Sequence, residues 1–188
     1  YSTGYRPSFT ISNIPLGLSA DIPMYWMDYD NDGDLDMLTI NYLAMRLFKN
    51  NGNGESFTEI TNVFPPVTNG TAISIADYDN DGFEDVYVQR GYGWAETNIL
   101  FRNQGNGTFQ SITDTGLTDD ASILSPCTWL DFNADGYMDL FSPGRLYVND
   151  GLGKFKRIFE DEITAGNVWM DVNGDGYREL LAIGSFIE

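Results

Sequence analysis

Short apolar segments alternate with short polar segments along the chain. Apolar residues occupy 24–27, 72–76, 128–130 and 168–170, and again 37–40, 86–88, 140–141 and 180–183. These segments are rich in β-branched and aromatic residues and are bounded by turn residues, which is typical of strands and too short for helices. The pattern therefore predicts an all-β chain in which polar loops join successive strands.

An acidic nonapeptide links the two apolar segments of each pair. Residues 28–36, 77–85, 131–139 and 171–179 follow the pattern Asp-x-Asp/Asn-x-Asp-Gly-x-x-Asp/Glu. Ca²⁺ takes roughly six to eight oxygen ligands at about 2.3–2.6 Å, and the glycine at position 6 permits the sharp turn of such a loop. An EF-hand loop closes at position 12 and enters a helix, whereas closure at position 9 suits a hairpin between strands.

The sequence therefore predicts four Ca²⁺ sites. Side chains at positions 1, 3, 5 and 9 are the expected ligands, together with the backbone carbonyl of position 7. These candidate ligands are Asp28, Asp30, Asp32, Asp34 and Asp36; Asp77, Asp79, Asp81, Phe83 and Asp85; Asp131, Asn133, Asp135, Tyr137 and Asp139; and Asp171, Asn173, Asp175, Tyr177 and Glu179. The third and fourth loops are expected to bind more weakly, because Asn133 and Asn173 each remove a charge and Glu179 is longer than Asp.

A glycine-rich hairpin follows each of the first three loops. Residues 47–57, 100–109 and 146–155 share an Asn-x-Gly-x-Gly core between apolar residues, and Asn and Gly both tolerate positive φ in tight turns. Each unit thus has four strands, and the loop aspartates 28, 77, 131 and 171 lie 49, 54 and 40 residues apart. Such a period indicates a β-propeller of four-stranded antiparallel blades, with about four repeats in one domain or segment, 1–188.

The two ends of the chain leave two arrangements open. Phe9 precedes Asp28 by 19 residues, much as Phe57 precedes Asp77 by 20, so the first residues resemble the outer strand of a preceding blade. After residues 182–186 the expected glycine hairpin is missing. A four-bladed ring could close through the amino-terminal strand, or the chain could be a segment of a larger propeller. We favour the larger propeller, because a closing blade would still lack a third strand.

The acidic net charge restricts the expected compartment and the expected classes of partner. The chain has 28 acidic and 10 basic residues, a net charge of −18, and 14 of the acids are proposed ligands. Four Ca²⁺ ions would bring the net charge to −10, which favours a compartment rich in free calcium. This acidity argues against nucleic-acid partners, and no apolar run approaches the roughly 18 residues that a transmembrane segment needs.

The four loops in phase with three hairpins resemble the FG-GAP/VCBS repeat family, which is related to the propeller of integrin α subunits. The resemblance covers essentially the whole chain. It implies a β-propeller, commonly of seven blades, with calcium in hairpin loops and with roles in extracellular adhesion, ligand binding or lectin-like recognition. The Phe-Gly and Gly-Ala-Pro signatures of the integrin branch are absent, so an integrin-like partner is not expected.

Five aromatic residues are candidates for packing or recognition. Trp26, Trp129 and Trp169 each stand two residues before a loop aspartate, which favours packing between blades over a sugar platform. Tyr92 and Trp94 belong to the joining loop that varies most in length between units. Loops of this kind often build binding surfaces, so these two side chains are candidate ligand contacts, with local packing as the alternative.

Catalysis has little support, since the chain has no histidine and its paired carboxylates are already assigned to calcium. We expect a non-enzymatic, extracellular calcium-binding propeller, secreted or at a cell surface, with the periplasm as an alternative. Its expected partners are a protein or glycan ligand on a cell surface or matrix, and further propeller blades. The alternative function is a non-catalytic module that positions substrate within a larger extracellular polysaccharide-degrading or hydrolytic enzyme.

Overall fold

The computed structural model describes Leu18 and residues 22–41, 43–52, 54–90, 97–117, 127–142, 144–160 and 167–182. Strands are the regular elements of this described part, and they form four antiparallel sheets, each called a blade. No helix among the described residues is long and apolar enough to cross a bilayer. The predicted all-β fold is therefore confirmed.

The strands follow one another within each blade in chain order. Blade 1 contains β1 (Met24–Met27), β2 (Asp36–Ile40), β3 (Met45–Asn50) and β4 (Phe57–Ile60). Blade 2 contains β5 (Gly70–Ala76), β6 (Asp85–Arg90), β7 (Ile99–Asn103) and β8 (Phe109–Ile112). Blade 3 contains β9 (Thr128–Leu130), β10 (Asp139–Ser142), β11 (Arg145–Asn149) and β12 (Phe155–Glu160). The described part of blade 4 contains β13 (Asn167–Met170) and β14 (Glu179–Ala182).

The acidic nonapeptides join the first two strands of every blade. The register pairs Met27 with Asp36 in blade 1 and Met170 with Glu179 in blade 4, so each nonapeptide closes a hairpin. The acid at position 9 is consequently the first residue of the second strand. The asparagine that opens each glycine hairpin is the last residue of the third strand, as Asn50 is of β3. These two strand ends are neighbours, which is what positions the candidate site.

The hydrophobic core lies between the blades. One buried cluster joins residues of blades 1 and 2, including Leu38 and Phe101, and a second joins blades 2 and 3 through residues such as Tyr87 and Leu140. A third cluster, around Phe141, packs blade 3 against Trp169 of blade 4. Each sheet thus depends on its neighbour to bury its apolar face, as in propellers.

Backbone hydrogen bonds also connect one blade to the segment that leaves the blade before it. The amide of Phe109, at the start of β8, donates to the carbonyl of Val63 at 2.8 Å. The amide of Phe155, at the start of β12, donates in the same way to Thr115 at 2.7 Å. The outer strand of a blade is therefore anchored to the linker after the preceding blade.

The three tryptophans do not behave alike. Trp129 packs between blades against Tyr87, with ring centroids 6.2 Å apart, and Trp169 packs against Phe141 at 5.2 Å. Trp26 contacts Phe57 at 6.0 Å but is 48% exposed. The predicted packing between blades is therefore confirmed for Trp129 and Trp169, and it stays a prediction for Trp26, which belongs to the first described blade.

Several sequence-based expectations lie outside the described residues. The strand expected around Phe9 and the segment after Ala182 are among them, so the choice between a closed ring and a larger propeller stays a prediction. Tyr92 and Trp94 also fall outside the described part of the chain.

Candidate metal centre

The first aspartate of each nonapeptide holds the loop in its curled form. In loop 1 (residues 28–36) Asp28 Oδ1 accepts the amide of Asp32 at 3.0 Å, and Oδ2 accepts the amide of Gly33 at 2.9 Å. The same pair of bonds recurs in loop 2 (77–85), loop 3 (131–139) and loop 4 (171–179). Because four separate segments adopt one hydrogen-bond pattern, the curl is a property of the motif.

Two positions of each loop require a left-handed backbone. The glycine at position 6 has φ between 88° and 92° in all four loops, as the sequence indicated. Position 4 also has positive φ, at Asn31, Asn80, Ala134 and Gly174. Sequence reasoning overlooked position 4, although Asn and Gly in three of the four loops are the residues that tolerate this conformation.

The carboxylate at position 9 is buried and fixed from two sides. Asp36, Asp85 and Asp139 have no exposed surface. One oxygen of Asp85 accepts the amide of Tyr78 at 3.2 Å, and the other accepts the amide of Asn103 at 2.8 Å. Asp36 and Asp139 make the equivalent pairs of bonds. The position-9 carboxylate is thus held where the loop, the second strand and the third strand meet.

Burial makes the charge on these carboxylates costly without a cation. Desolvation raises the pKa of Asp36 to about 6 and that of Asp85 to about 8, although two amide hydrogen bonds oppose the shift. The pKa of Asp139 is also raised by burial. A divalent ion beside these groups would favour their charged form.

Loops 1 and 2 bring three carboxylates together. Oxygens of Asp28, Asp30 and Asp36 lie within 4.8 Å of one another, and so do those of Asp77, Asp79 and Asp85. At position 3 of each loop, Oδ1 of Asp30 or Asp79 is buried and has no hydrogen-bond partner. Each cluster thus contains several carboxylate oxygens, and its position-3 residue has a buried oxygen without a hydrogen-bond partner. Such a set of oxygens fits a hard divalent cation such as Ca²⁺.

The remaining predicted ligands have other contacts. Asn133 in loop 3 donates to Asp135 at 2.8 Å, and Asn173 in loop 4 donates to Asp175 at 3.0 Å. Glu179 accepts the amide of Val172 at 2.8 Å, so its longer side chain still makes the bond expected of position 9. The residues at position 7, Asp34, Phe83, Tyr137 and Tyr177, donate their amides to the aspartate at position 5. The ligand role of the position-7 carbonyls stays a prediction.

A cationic side chain from the third strand contacts the loop in blades 1 and 2. Lys49 of β3 pairs with Asp30 and lies 3.0 Å from Asp32 Oδ2. Arg102 of β7 lies 2.6 Å from Asp79 Oδ2 through Nε and 2.9 Å from Asp81 Oδ2 through Nη2. The Nε contact is ionic and lacks hydrogen-bond geometry, whereas Nη2 donates a hydrogen bond. These cations were not identified from the sequence.

The loops of neighbouring blades are joined directly. Asn31 of loop 1 donates to the carbonyl of Gly82 in loop 2 at 2.7 Å, and Asn80 of loop 2 donates to Gly136 of loop 3 at 3.0 Å. Glu84 also accepts the amide of Asp28 at 2.9 Å. Ala134 occupies the corresponding position of loop 3, and its side chain has no amide group that could donate to loop 4.

The ring at position 7 packs on the glycine hairpin of the same blade. A Cβ added at Gly105 would lie 2.7 Å from the ring of Phe83, and one at Gly151 would lie 2.8 Å from the ring of Tyr137. The first glycine of the hairpin is therefore needed for space as well as for its positive φ. This contact ties the hairpin to the candidate metal loop.

The repeated blades and their acidic hairpin loops define a repeat protein of the β-propeller class. A family model described as the FG-GAP-like repeat matches residues 28–88 and 91–142, more than half of the chain. The chain belongs to this family, which confirms the resemblance seen in the sequence. No curated protein matches the chain.

Solved structures are similar to the chain at the level of the fold, and two of them serve as examples. One is a lectin of Agrocybe aegerita described as recognising non-reducing terminal N-acetylglucosamine, with a TM-score of 0.56 and 18% identity. The match covers 85% of this chain and 46% of the lectin chain. The other is the Tc holotoxin pore of Photorhabdus luminescens, with a TM-score of 0.55 and 19% identity, covering 89% of this chain and 8% of that one. The chain thus spans less than half the length of either neighbour.

Proposed function

We propose that the chain is a calcium-binding propeller segment whose loops take one Ca²⁺ each. The observation that carries this proposal is the buried, unpartnered Oδ1 of Asp30 and of Asp79, each within a cluster of three carboxylates. When bound, the ion would supply positive charge to these oxygens and to the buried acid at position 9. Asp28, Asp30, Asp32 and Asp36 would hold it in loop 1, with their equivalents in the other loops.

Calorimetric titration of demetallated protein tests the metal proposal. We expect saturable Ca²⁺ binding, a weaker response to Mg²⁺, which prefers a rigid octahedral shell, and a rise in Tm with Ca²⁺ concentration. Asp79→Ala should remove the site in loop 2. Asp114→Ala is the matched control, because Asp114 is an exposed acid that pairs with Lys154 away from the loops. Equal titrations of the two variants would contradict the assignment.

The calcium-loaded propeller serves recognition of a protein or glycan outside the cell. Three considerations support this role: the need for plentiful free Ca²⁺, the acidic surface, and the fold-level similarity to a lectin. The chain acts as a binding scaffold rather than as an enzyme, since it lacks histidine and its clustered carboxylates serve the metal. Tyr92 and Trp94 are the proposed ligand contacts.

A glycan array read with Ca²⁺ and with chelator tests the recognition role. Binding that needs Ca²⁺ and is lost in Trp94→Ala would support it, provided that the variant keeps the wild-type Tm. Leu152→Ala is a suitable control, because Leu152 is an exposed apolar residue on another hairpin, 86% accessible. Binding to long polysaccharides only would favour the substrate-positioning module of a larger enzyme. Unchanged binding by Trp94→Ala would exclude that residue.

A further inference from the structure

Lys49 and Arg102 occupy the same place in consecutive blades. Each is the residue before the asparagine that ends the third strand, Asn50 in β3 and Asn103 in β7. The equivalent residue of blade 3 is Val148. The side chain at this place is therefore cationic in blades 1 and 2 and apolar in blade 3. This difference correlates with the charge of the acidic loop in the same blade.

Position 3 of the loop changes together with this strand position. Loops 1 and 2 have aspartates at position 3, Asp30 and Asp79, and they face Lys49 and Arg102. Loop 3 has Asn133 at position 3, and it belongs to the blade that carries Val148. Where position 3 adds a fourth carboxylate to the loop, the third strand supplies a cation. Where position 3 is a neutral amide, the third strand supplies an apolar residue.

The aspartate at position 3 uses its two oxygens differently. In loops 1 and 2, Oδ2 contacts the cation, whereas Oδ1 is buried without a hydrogen-bond partner. Asp30 also lies in the three-carboxylate cluster through an oxygen within 4.8 Å of Asp28 and Asp36. One carboxylate can therefore bind a metal ion through Oδ1 while Oδ2 stays with the strand cation.

We propose that Lys49 and Arg102 are positioning residues of the first two metal sites, fixing the position-3 carboxylate and weakening the affinity for Ca²⁺. This inference rests on the proposed calcium binding of loops 1 and 2. In the metal-free protein the cation neutralises one of four crowded carboxylates and keeps the loop closed. In the calcium-bound protein the same cation lies near a dication and repels it.

The two effects have opposite signs, which makes the proposal measurable. Removing the positive charge leaves the metal-free carboxylates to repel one another, so Tm should fall. It also leaves one more net negative charge at the site, and a unit charge near a divalent ion changes Kd by roughly tenfold in water-like surroundings. A residue with a merely structural role would lower Tm and weaken Ca²⁺ binding together.

Lys49→Met is the direct test, measured on demetallated and calcium-titrated protein. We expect a lower Tm without metal and a Kd for loop 1 that falls by roughly tenfold. The amide resonance of Gly33 reports loop 1 and that of Gly82 reports loop 2, so the two sites are followed separately. Tb³⁺ should gain more affinity than Ca²⁺ from the variant, because its charge is higher. Arg102→Met should produce the same changes in loop 2.

Three further variants separate the proposal from simpler explanations. Arg46→Met removes one charge from the same strand, where Arg46 pairs with Glu59 at 2.7 Å, and should leave the Kd of loop 1 unchanged. Lys49→Arg places in blade 1 the residue that blade 2 uses, and should behave like the wild type. The double variant Asp30→Asn with Lys49→Val reproduces the pair found in blade 3, and should recover metal-free Tm relative to Lys49→Val alone.

The outcomes distinguish this inference from the calcium proposal. If the wild-type chain binds no Ca²⁺, the proposed function fails, while the metal-free Tm of the variants still reports the ion pair. If it binds Ca²⁺ but Lys49→Met weakens or does not change that binding, the positioning role is overturned. A fall in Tm together with tighter binding supports it.

Discussion

The side-chain amide of Asn103 donates to the backbone carbonyl of Tyr29, which lies 74 residues earlier in the chain, at 2.8 Å. Asn103 ends the third strand of blade 2, and Tyr29 is the second residue of loop 1. Asn149 makes the same bond to Tyr78 one blade further on, at 2.7 Å. Loops 1 and 2 are therefore each bonded to the blade that follows them.

Asn103→Ala should destabilise the chain by about 1–3 kcal/mol, because it leaves buried hydrogen-bonding groups of two blades without partners. Asn103 has no exposed surface, whereas its neighbour Gln104 is exposed. Gln104→Ala is thus the matched control and should change the free energy of unfolding by less than about 0.5 kcal/mol. Urea denaturation measures both, and similar values for the two would refute an inter-blade role for Asn103.

Ala134→Asn should stabilise the chain by about 1 kcal/mol. Ala134 has φ of 58°, a conformation that costs an L-residue roughly 1–2 kcal/mol and that Asn tolerates better. An asparagine there could also donate to Gly176, as Asn80 donates to Gly136. Asn80→Ala should instead lower the free energy of unfolding. Thermal unfolding in the absence of metal checks the pair, and a destabilising Ala134→Asn would contradict the prediction.

Gly105→Ala should destabilise the chain by more than Gly107→Ala does. Both glycines have positive φ, 64° and 83°, so backbone strain is common to the two variants. Only the Cβ at Gly105 would meet the ring of Phe83, at 2.7 Å, because no atom lies within 4 Å of one at Gly107. Combining Gly105→Ala with Phe83→Ala should therefore cost less than the two single changes added together. Chemical denaturation of the four variants gives the comparison, and strict additivity would argue against the contact.

Demetallated protein should lose stability as the pH rises from about 4 to about 8. The folded-state pKa values of Asp36 and Asp85, about 6 and about 8, lie above the usual value of roughly 3.9 for an unfolded aspartate. The folded chain then binds more protons than the unfolded chain in this window, so stability is greatest at the acidic end and falls as these groups ionise. Saturating Ca²⁺ should remove this loss, because metal ligation favours the ionised carboxylates.

Thermal unfolding at pH 5 and pH 8, with and without Ca²⁺, measures the pH effect. Asp85→Asn should flatten the metal-free profile, because it removes the group with the larger shift. Asp114→Asn should not, because Asp114 is exposed and Lys154 lowers its pKa. A metal-free chain that gains stability on going to pH 8 would show that burial of these acids is not the dominant effect.

The sequence predicted the features that depend on local spacing. The strands, the hairpin loops and the glycine at position 6 follow from residues within a few positions of one another, and Asp28 curls loop 1 through amides only four and five residues away. The left-handed backbone at position 4 could also have been predicted from local sequence, because Asn31, Asn80 and Gly174 are residue types that tolerate positive φ.

Contacts that depend on strand register and blade packing could not be predicted in this way. Lys49 meets Asp30 only because β2 and β3 pair so that Met37 lies opposite Phe48. The exposure of Trp26 likewise depends on which sheets surround it, since the same position is covered in blades 3 and 4. The bond from Asn103 to Tyr29 needs two blades in place. Residue type at one position carries little information about such distant partners.

The placement of the hydrophobic clusters between the sheets has a consequence for how such chains arise. Leu38 shares a cluster with Phe101, Tyr87 shares one with Leu140, and Phe141 packs against Trp169, so three successive boundaries are of one kind. Duplication or loss of one whole unit within the chain would recreate a boundary of the same type and would need no new complementary surface. Such a change would alter the number of sheets and leave the pairing between adjacent sheets as it is.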